Sequence, residues 1–170
     1  MTEMLVHSHD PGVYFLLPAL PAAVLAGRGH VYGLRVRGGV QVALSWVEGS
    51  LVAAELVFTS AHPWRQGMQP YRGKPGFYRP SSTAAADTVS SVTITALSAF
   101  TLATITGSTT GNEDLTPCKV VSKDSNLTPF SQEYSGVLKH CVLRICGKIG
   151  PHRECETALQ AMAEHRLSSL

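Results

Sequence analysis

The carboxylates of the first sixty residues are Glu3, Asp10, Glu48 and Glu55. They fall in a helical pattern, a Pro-Gly stop, a turn and a strand pattern. No spacing converges two of them across a pocket, as paired acid and base chemistry requires, so no catalytic residue is expected among them. His7-Ser8-His9 offers two imidazoles for a metal. At i and i+2 of a helix end they point apart, and a capping or interdomain hydrogen bond is the expected role. Arg35 and Arg37 share one face of a strand pattern. A guanidinium pair there can grip a carboxylate or a sugar hydroxyl, but clamping a neighbouring domain is the expected use. Trp46 alternates with Leu44 on an apolar face and reads as core rather than as a sugar-stacking platform.

Residues 62–80 interleave Trp64, Tyr71, Phe77 and Tyr78 with Arg65, Arg72, Lys74 and Arg79 and hold no acid. Such a mixture can stack on and neutralise single-stranded nucleic acid. Pro63, Pro70, Pro75 and Pro80 recur through it, which favours an extended connector, and no nucleic-acid partner is expected. Cys118, Cys141, Cys146 and Cys155, with His140 and His152 nearby, are separated by 22, 4 and 8 residues. These intervals differ from the close cysteine pairs of structural zinc sites, so neither a metal nor a cofactor is expected. Two disulfides would admit three pairings, and with nothing marking an oxidising compartment free thiols are the expectation. Asn126-Leu127-Thr128 fits the N-glycosylation acceptor pattern, which is too short to be specific.

The elements that would position these groups sit in a chain of 170 residues, 44% hydrophobic and 15% charged. That excludes a charge-rich disordered chain, a coiled coil and a collagen-like repeat. A net charge of +2 gives no field that would draw the chain to nucleic acid or an anionic membrane. No apolar run reaches the ~18–20 residues of a membrane span, and the first six residues lack the basic start of a secretory signal. A soluble chain without a membrane partner is expected, in no assignable compartment.

Met1, Met4 and Leu5 recur at helical spacing and Asp10-Pro11-Gly12 stops the pattern, which reads as the last turns of a helix with protein expected before it. Residues 13–17 form a short apolar run. Pro18-Ala19-Leu20-Pro21 then forbids both helix and central strand. Residues 31–36 read as a strand and Arg37-Gly38-Gly39 as a turn. Val40, Val42, Leu44 and Trp46 follow at a period of two, Glu48-Gly49-Ser50 makes a hairpin, and Val52, Ala54, Leu56 and Phe58 restart the alternation. This is an antiparallel meander with one apolar face, and it needs a second layer.

Further on, residues 81–110 hold six Ser and nine Thr with Asp87 as the lone charge. There Val92, Ile94, Ala96, Phe100 and Leu102 alternate as one long strand or a hairpin, prone to aggregate if unpaired. Residues 153–167 form the best later helix, with Ala158, Leu159 and Met162 on one stripe and Glu154 and Glu156 in the first turn.

The run Glu-Met-Leu-Val-His-Ser-His (3–9), Leu-Leu-Pro-Ala-Leu-Pro (16–21), Gly-Leu-Arg-Val-Arg-Gly-Gly (33–39) and Trp-Val-Glu-Gly-Ser-Leu (46–51) resembles the C-terminal region of glycoside hydrolase family 95. The resemblance covers residues 1–59, and the family pattern does not visibly continue beyond. Members are inverting α-L-fucosidases, mostly acting on terminal α-1,2-linked fucose. The resemblance implies a C-terminal β-sandwich that packs on an (α/α)6 catalytic barrel, with residues 1–12 ending the last barrel helix. In the family a barrel Glu is the acid and an Asn aided by an Asp is the base. These would fall upstream of Met1, so the resemblance assigns no catalytic role here.

The reading is therefore mainly β: an incomplete antiparallel β-sandwich portion over residues 13–60, with a short N-terminal helix. A divergent, partly disordered extension follows over 61–110, then a cysteine-containing tail with a C-terminal helix over 111–170. The function implied is that of an inactive fragment of an α-L-fucosidase, bracing the barrel and meeting fucosylated glycans only through it. The alternative is a non-catalytic sandwich that binds carbohydrate or protein through Trp64, Tyr71 and Tyr78. A third reading is a family remnant joined to unrelated sequence, with no selected function.

Overall fold

The computed structural model describes residues 2–9, 12–19, 21–59, 69–70, 78–79, 90–103, 115–123 and 130–169. Asp10, Trp64, Tyr71, Phe77 and the Asn126 acceptor lie outside them.

The elements in chain order are α1 (Thr2–Leu5), β1 (Val6–His7), β2 (Val13–Leu16), α2 (Ala22–Leu25), β3 (Arg28–Val36), β4 (Val40–Val47) and β5 (Ser50–Phe58). Then come β6 (Gln69–Pro70), β7 (Tyr78–Arg79), β8 (Ser90–Ala96) and β9 (Phe100–Leu102). The chain closes with β10 (Thr116–Pro117), β11 (Val120–Lys123), β12 (Ser131–Gly136), β13 (Cys141–Gly147) and α3 (His152–Ser168).

Two sheets stack into a sandwich. One runs β1-β2-β8-β12-β11, with β2 and β8 parallel and the other pairs antiparallel. The other runs β10-β13-β5-β4-β3, and β9 also pairs with β13. Strands β6 and β7 form a separate two-stranded ribbon.

The meander β3-β4-β5 forms as its sequence requires. Gly38 and Gly39 take positive φ of 86° and 71° in the first turn. In the second, Glu48 and Gly49 stand at φ 48° and 75° between the paired Val47 and Ser50. Two positive φ values in a two-residue hairpin loop make the turn that suits Asn-Gly, and Glu48 bears the steric penalty of that region. Replacing Glu48 by Asn is expected to stabilise the chain by about 0.5–1 kcal/mol, read as a raised midpoint in urea.

Strand β5 corrects the simple alternation. The register shifts between Ser45 and Trp46, so Leu51 as well as Ala54, Leu56 and Phe58 faces the sandwich interior. Val52 and Ala53 face the opposite side, where α3 covers them. A bulge changes which residues share a face, and only the pairing partner reveals it. Strand β5 is thus buried on both faces, not one, while β3 keeps an exposed side.

The missing layer comes from residues read as extension. Val92, Ile94 and Ala96 on β8 and Tyr134 on β12 close over Val42, Leu44, Leu56 and Phe58. The alternating stretch 92–102 is neither one strand nor a hairpin. Leu97, Ser98 and Ala99 carry it from β8 in one sheet to β9 in the other. Strand β13 enters sheet two beside β5 in register from Cys141 opposite Phe58 to Cys146 opposite Ala53. On the outer face of sheet one, Thr95 Oγ1 pairs with Ser131 Oγ at 2.9 Å and the Ser91 hydroxyl donates to Glu133 at 3.0 Å. The Thr-rich strand is paired on both sides, so its backbone is not left open for aggregation.

Tyr134 is fully buried, and its hydroxyl donates to Gln132 Oε1 at 2.5 Å. Gln132 Nε2 in turn donates to the Phe100 carbonyl at 2.8 Å, which links the two sheets. Burial pushes the phenol up to about 12. A pKa raised in the folded state gives stability that is complete below about pH 10, the ordinary phenol value, and is lost as pH rises to about 12. Absorbance at 295 nm is expected to show Tyr134 ionising only together with unfolding in that window, and Tyr134→Phe to remove that component.

Candidate functional site

Helix α3 lies across the outer face of sheet two, and the residues with chemical potential gather beneath and beside it. The helix buries Cys155, Leu159 and Met162 against Ala43, Val52, Ala53 and Cys146. The predicted stripe is confirmed, with Leu159 and Met162 buried and Ala158 partly buried against the same cluster, and Cys155 extends it.

Under the C-terminal half of α3 sits a charged cluster. Glu55 points out of β5 with its side chain 3% exposed. Its Oε2 accepts from Arg144 Nε of the neighbouring strand β13 at 3.0 Å. Its Oε1 accepts from Arg166 of α3. Glu55 and Arg144 are direct register partners, so the sheet itself sets the first contact. Taking an acid this deep into a protein is strongly unfavourable unless cations and hydrogen bonds offset the lost hydration. Both carboxylate oxygens are engaged that way, which ties β5 to β13 and to α3 through Glu55. Arg144 and Arg166 were missed in the sequence reading. The available signal was one lone charge in each of two apolar strands, Glu55 within residues 51–58 and Arg144 within 141–146.

Tyr32 of β3 lies between two imidazoles, stacked on His165 at 4.5 Å between ring centroids and tilted to His30 at 5.1 Å. Two cavities flank this column. A cavity of about 510 Å³ is lined by Arg28, His30, Tyr32, Val52, Arg153 and Glu154 among others. One of about 180 Å³ is lined by Tyr32, Gln41, Glu55, His165 and Arg166 among others. Among the described residues each cavity carries a single carboxylate, and each is paired with arginine: Glu154 with Arg28 at 3.5 Å, Glu55 with Arg144 and Arg166.

The remaining sequence candidates are scattered. Helix α1 is one turn that ends at Leu5, whose carbonyl accepts from the Leu17 N–H at 2.7 Å. His7 therefore stands on β1, opposite Phe15, and not at a helix end. On an extended chain i and i+2 share a side, so the His7 and His9 rings meet edge to face at 4.2 Å instead of pointing apart. Arg35 is exposed on β3 and Arg37 lies in the following turn. The Arg37 N–H donates to Ser8 Oγ at 3.4 Å. Trp46 is buried at 5% exposure, as expected for core, and its ring lies where a Cβ on Gly29 would stand. Glu48 is exposed in its turn. Among the described residues no group of three or more His, Cys, Asp or Glu is placed to hold a metal. Among them, too, no helix is long and apolar enough to cross a membrane.

The cysteines overturn the expectation of free thiols. Cys118 bonds to Cys141 and Cys146 to Cys155, with Cα separations of 4.9 and 5.6 Å. Pairing of β10 beside the start of β13 brings the first two together. Docking of α3 over β13 brings the second two together. Neither approach has a local sequence signature.

Two similarities to known proteins accompany this geometry. The pattern described as glycoside hydrolase family 95, C-terminal domain, matches residues 7–109. The match passes well beyond residue 59 and so corrects the earlier limit, taking in β8 and β9. Alpha-L-fucosidase 2 of Arabidopsis thaliana is 54% identical over 52 residues, which are 31% of this chain and 6% of that protein.

Proposed function

This chain belongs to glycoside hydrolase family 95, matching its C-terminal domain, and on that premise we propose that it is a non-catalytic sandwich bracing the barrel of an inverting α-L-fucosidase. The fucose linkage served by that barrel is α-1,2. The chain meets fucosylated glycans only through the barrel, whose last helix ends in the segment 1–12. The groups that break the glycosidic bond belong to the barrel.

The observation that carries this reading is the state of the carboxylates. Inversion needs a carboxylic acid and a base about 6.5–9.5 Å apart, with room for a water and the sugar between them. Among the described residues each cavity beside α3 has one carboxylate, and that carboxylate is held by arginine. In this reading the exposed Arg35 and Arg37 clamp the barrel. The test is co-expression of this chain with a family 95 barrel that lacks its own C-terminal domain. Co-elution, with a raised melting temperature of the barrel that falls back in Arg35→Ala/Arg37→Ala, is expected. Separate elution of two intact proteins would count against it.

A second reading, a carbohydrate-binding sandwich without chemistry, draws on the cavity of about 510 Å³ with Tyr32 and His30 on its wall. Glycan-array binding abolished by Tyr32→Ala would favour it.

A further inference from the structure

We infer that this chain is built to mature in an oxidising compartment, because two disulfides fasten the part of the sandwich that the family pattern does not cover. All four cysteines lie between residues 118 and 155, beyond the match that ends at 109, and none is free. They sit at the two places where that part must hold. Cys118–Cys141 ties β10 to the start of β13, the strand between β5 and the β9/β10 edge. Cys146–Cys155 ties the end of β13 to the first turns of α3, the helix that covers Glu55 and Arg144. Strand β13 is thus anchored at both ends.

Cys141, Cys146 and Cys155 are buried, at 4%, 5% and 2% exposure. A small thiol must reach a sulfur to exchange with it, so Cys146–Cys155, covered on both sides, persists once formed, while Cys118–Cys141 is reached only from the half-buried Cys118 side. In a reducing cytosol the same four thiols would stay reduced, and both ends of β13 would lose their ties. The reaction is disulfide exchange. Each pair of thiols passes two electrons and two protons to a disulfide oxidant, which leaves as two thiols, for example oxidised glutathione as two glutathiones.

The experiment uses the full chain, reduced and unfolded, then refolded either in a mixture of reduced and oxidised glutathione or in dithiothreitol alone. Peptide mass mapping of the glutathione sample is expected to show Cys118 linked to Cys141 and Cys146 to Cys155, with no thiol alkylated by iodoacetamide before unfolding. The dithiothreitol sample is expected to melt at least about 10 °C lower, or to lack a cooperative melt. The double variant Cys146→Ser/Cys155→Ser is expected to retain the 118–141 link and to expose α3 to limited proteolysis. Alkylation of all four thiols in the native glutathione sample would overturn the inference. So would other pairings, or equal melting of the two samples. Mass mapping on the wild-type chain decides the matter even where a variant fails to fold.

Discussion

Replacing Glu55 with alanine is expected to destabilise the fold by about 3–5 kcal/mol, the range for removing one member of a buried ion cluster. Glu55 is 2% exposed, and Arg144 and Arg166 share its carboxylate from a neighbouring strand and from α3. The substitution withdraws the anion common to two guanidinium groups inside a closed helix–sheet interface. It also removes a side chain that β13 and α3 both grip. Urea unfolding at neutral pH reads the loss directly as a lower midpoint at unchanged slope. Because a buried ion pair is often no better than well-packed apolar residues, Glu55→Leu combined with Arg144→Met is expected to recover part of the loss. A single-variant loss below about 0.5 kcal/mol would show that the cluster does not form.

Leu143→Ala is expected to destabilise by about 2–5 kcal/mol. Leu143 is 1% exposed, stands opposite Leu56 in the β13–β5 ladder, and faces the sandwich interior. Shortening it opens a cavity in the centre of the core, where the surrounding strands cannot easily close. The effect discriminates between two pictures of the second half of the chain. A tail loosely attached to a complete sandwich would tolerate the change. A tail that supplies a strand beside β5 would not, and circular dichroism with urea titration separates the two.

How much of this was legible in the sequence follows the range of the interactions. The meander was, because Gly38-Gly39, Glu48-Gly49 and the alternation from Val40 to Trp46 are local signals that fix turns and faces within a few residues. Helix α3 was also legible, since its stripe at Leu159 and Met162 is a property of one element. The bulge between Ser45 and Trp46 was not, because it exists only in the pairing of β4 with β5, and it moved Val52 from the sandwich to the helix side. The match of β13 to β5, joining residues such as Arg144 and Glu55, has no local signature either. That one missing pairing accounts for several misreadings at once. It hid the second sheet's completion and the burial of Glu55 beside Arg144. His7 was misplaced for a related reason: the backbone of residues 4–7 is claimed by β2 and the turn after it, which ends α1 before the helical pattern runs out.

The same long-range contacts give the candidate site its character. Glu55, the acid most removed from water, has its oxygens committed to arginines that sequence spacing placed 89 and 111 residues away. The carboxylate in the larger cavity, Glu154, is likewise paired, with Arg28 across the groove. Both pairings suit the packing and clamping role proposed for the sandwich.

The most direct measurement is release of L-fucose from 2'-fucosyllactose by the purified, oxidised 170-residue chain. No fucose above the buffer blank is expected at any enzyme concentration. Steady turnover that scales with the amount of chain, and disappears with Glu55→Gln or Glu154→Gln, would contradict a purely bracing role and place an active site on this sandwich.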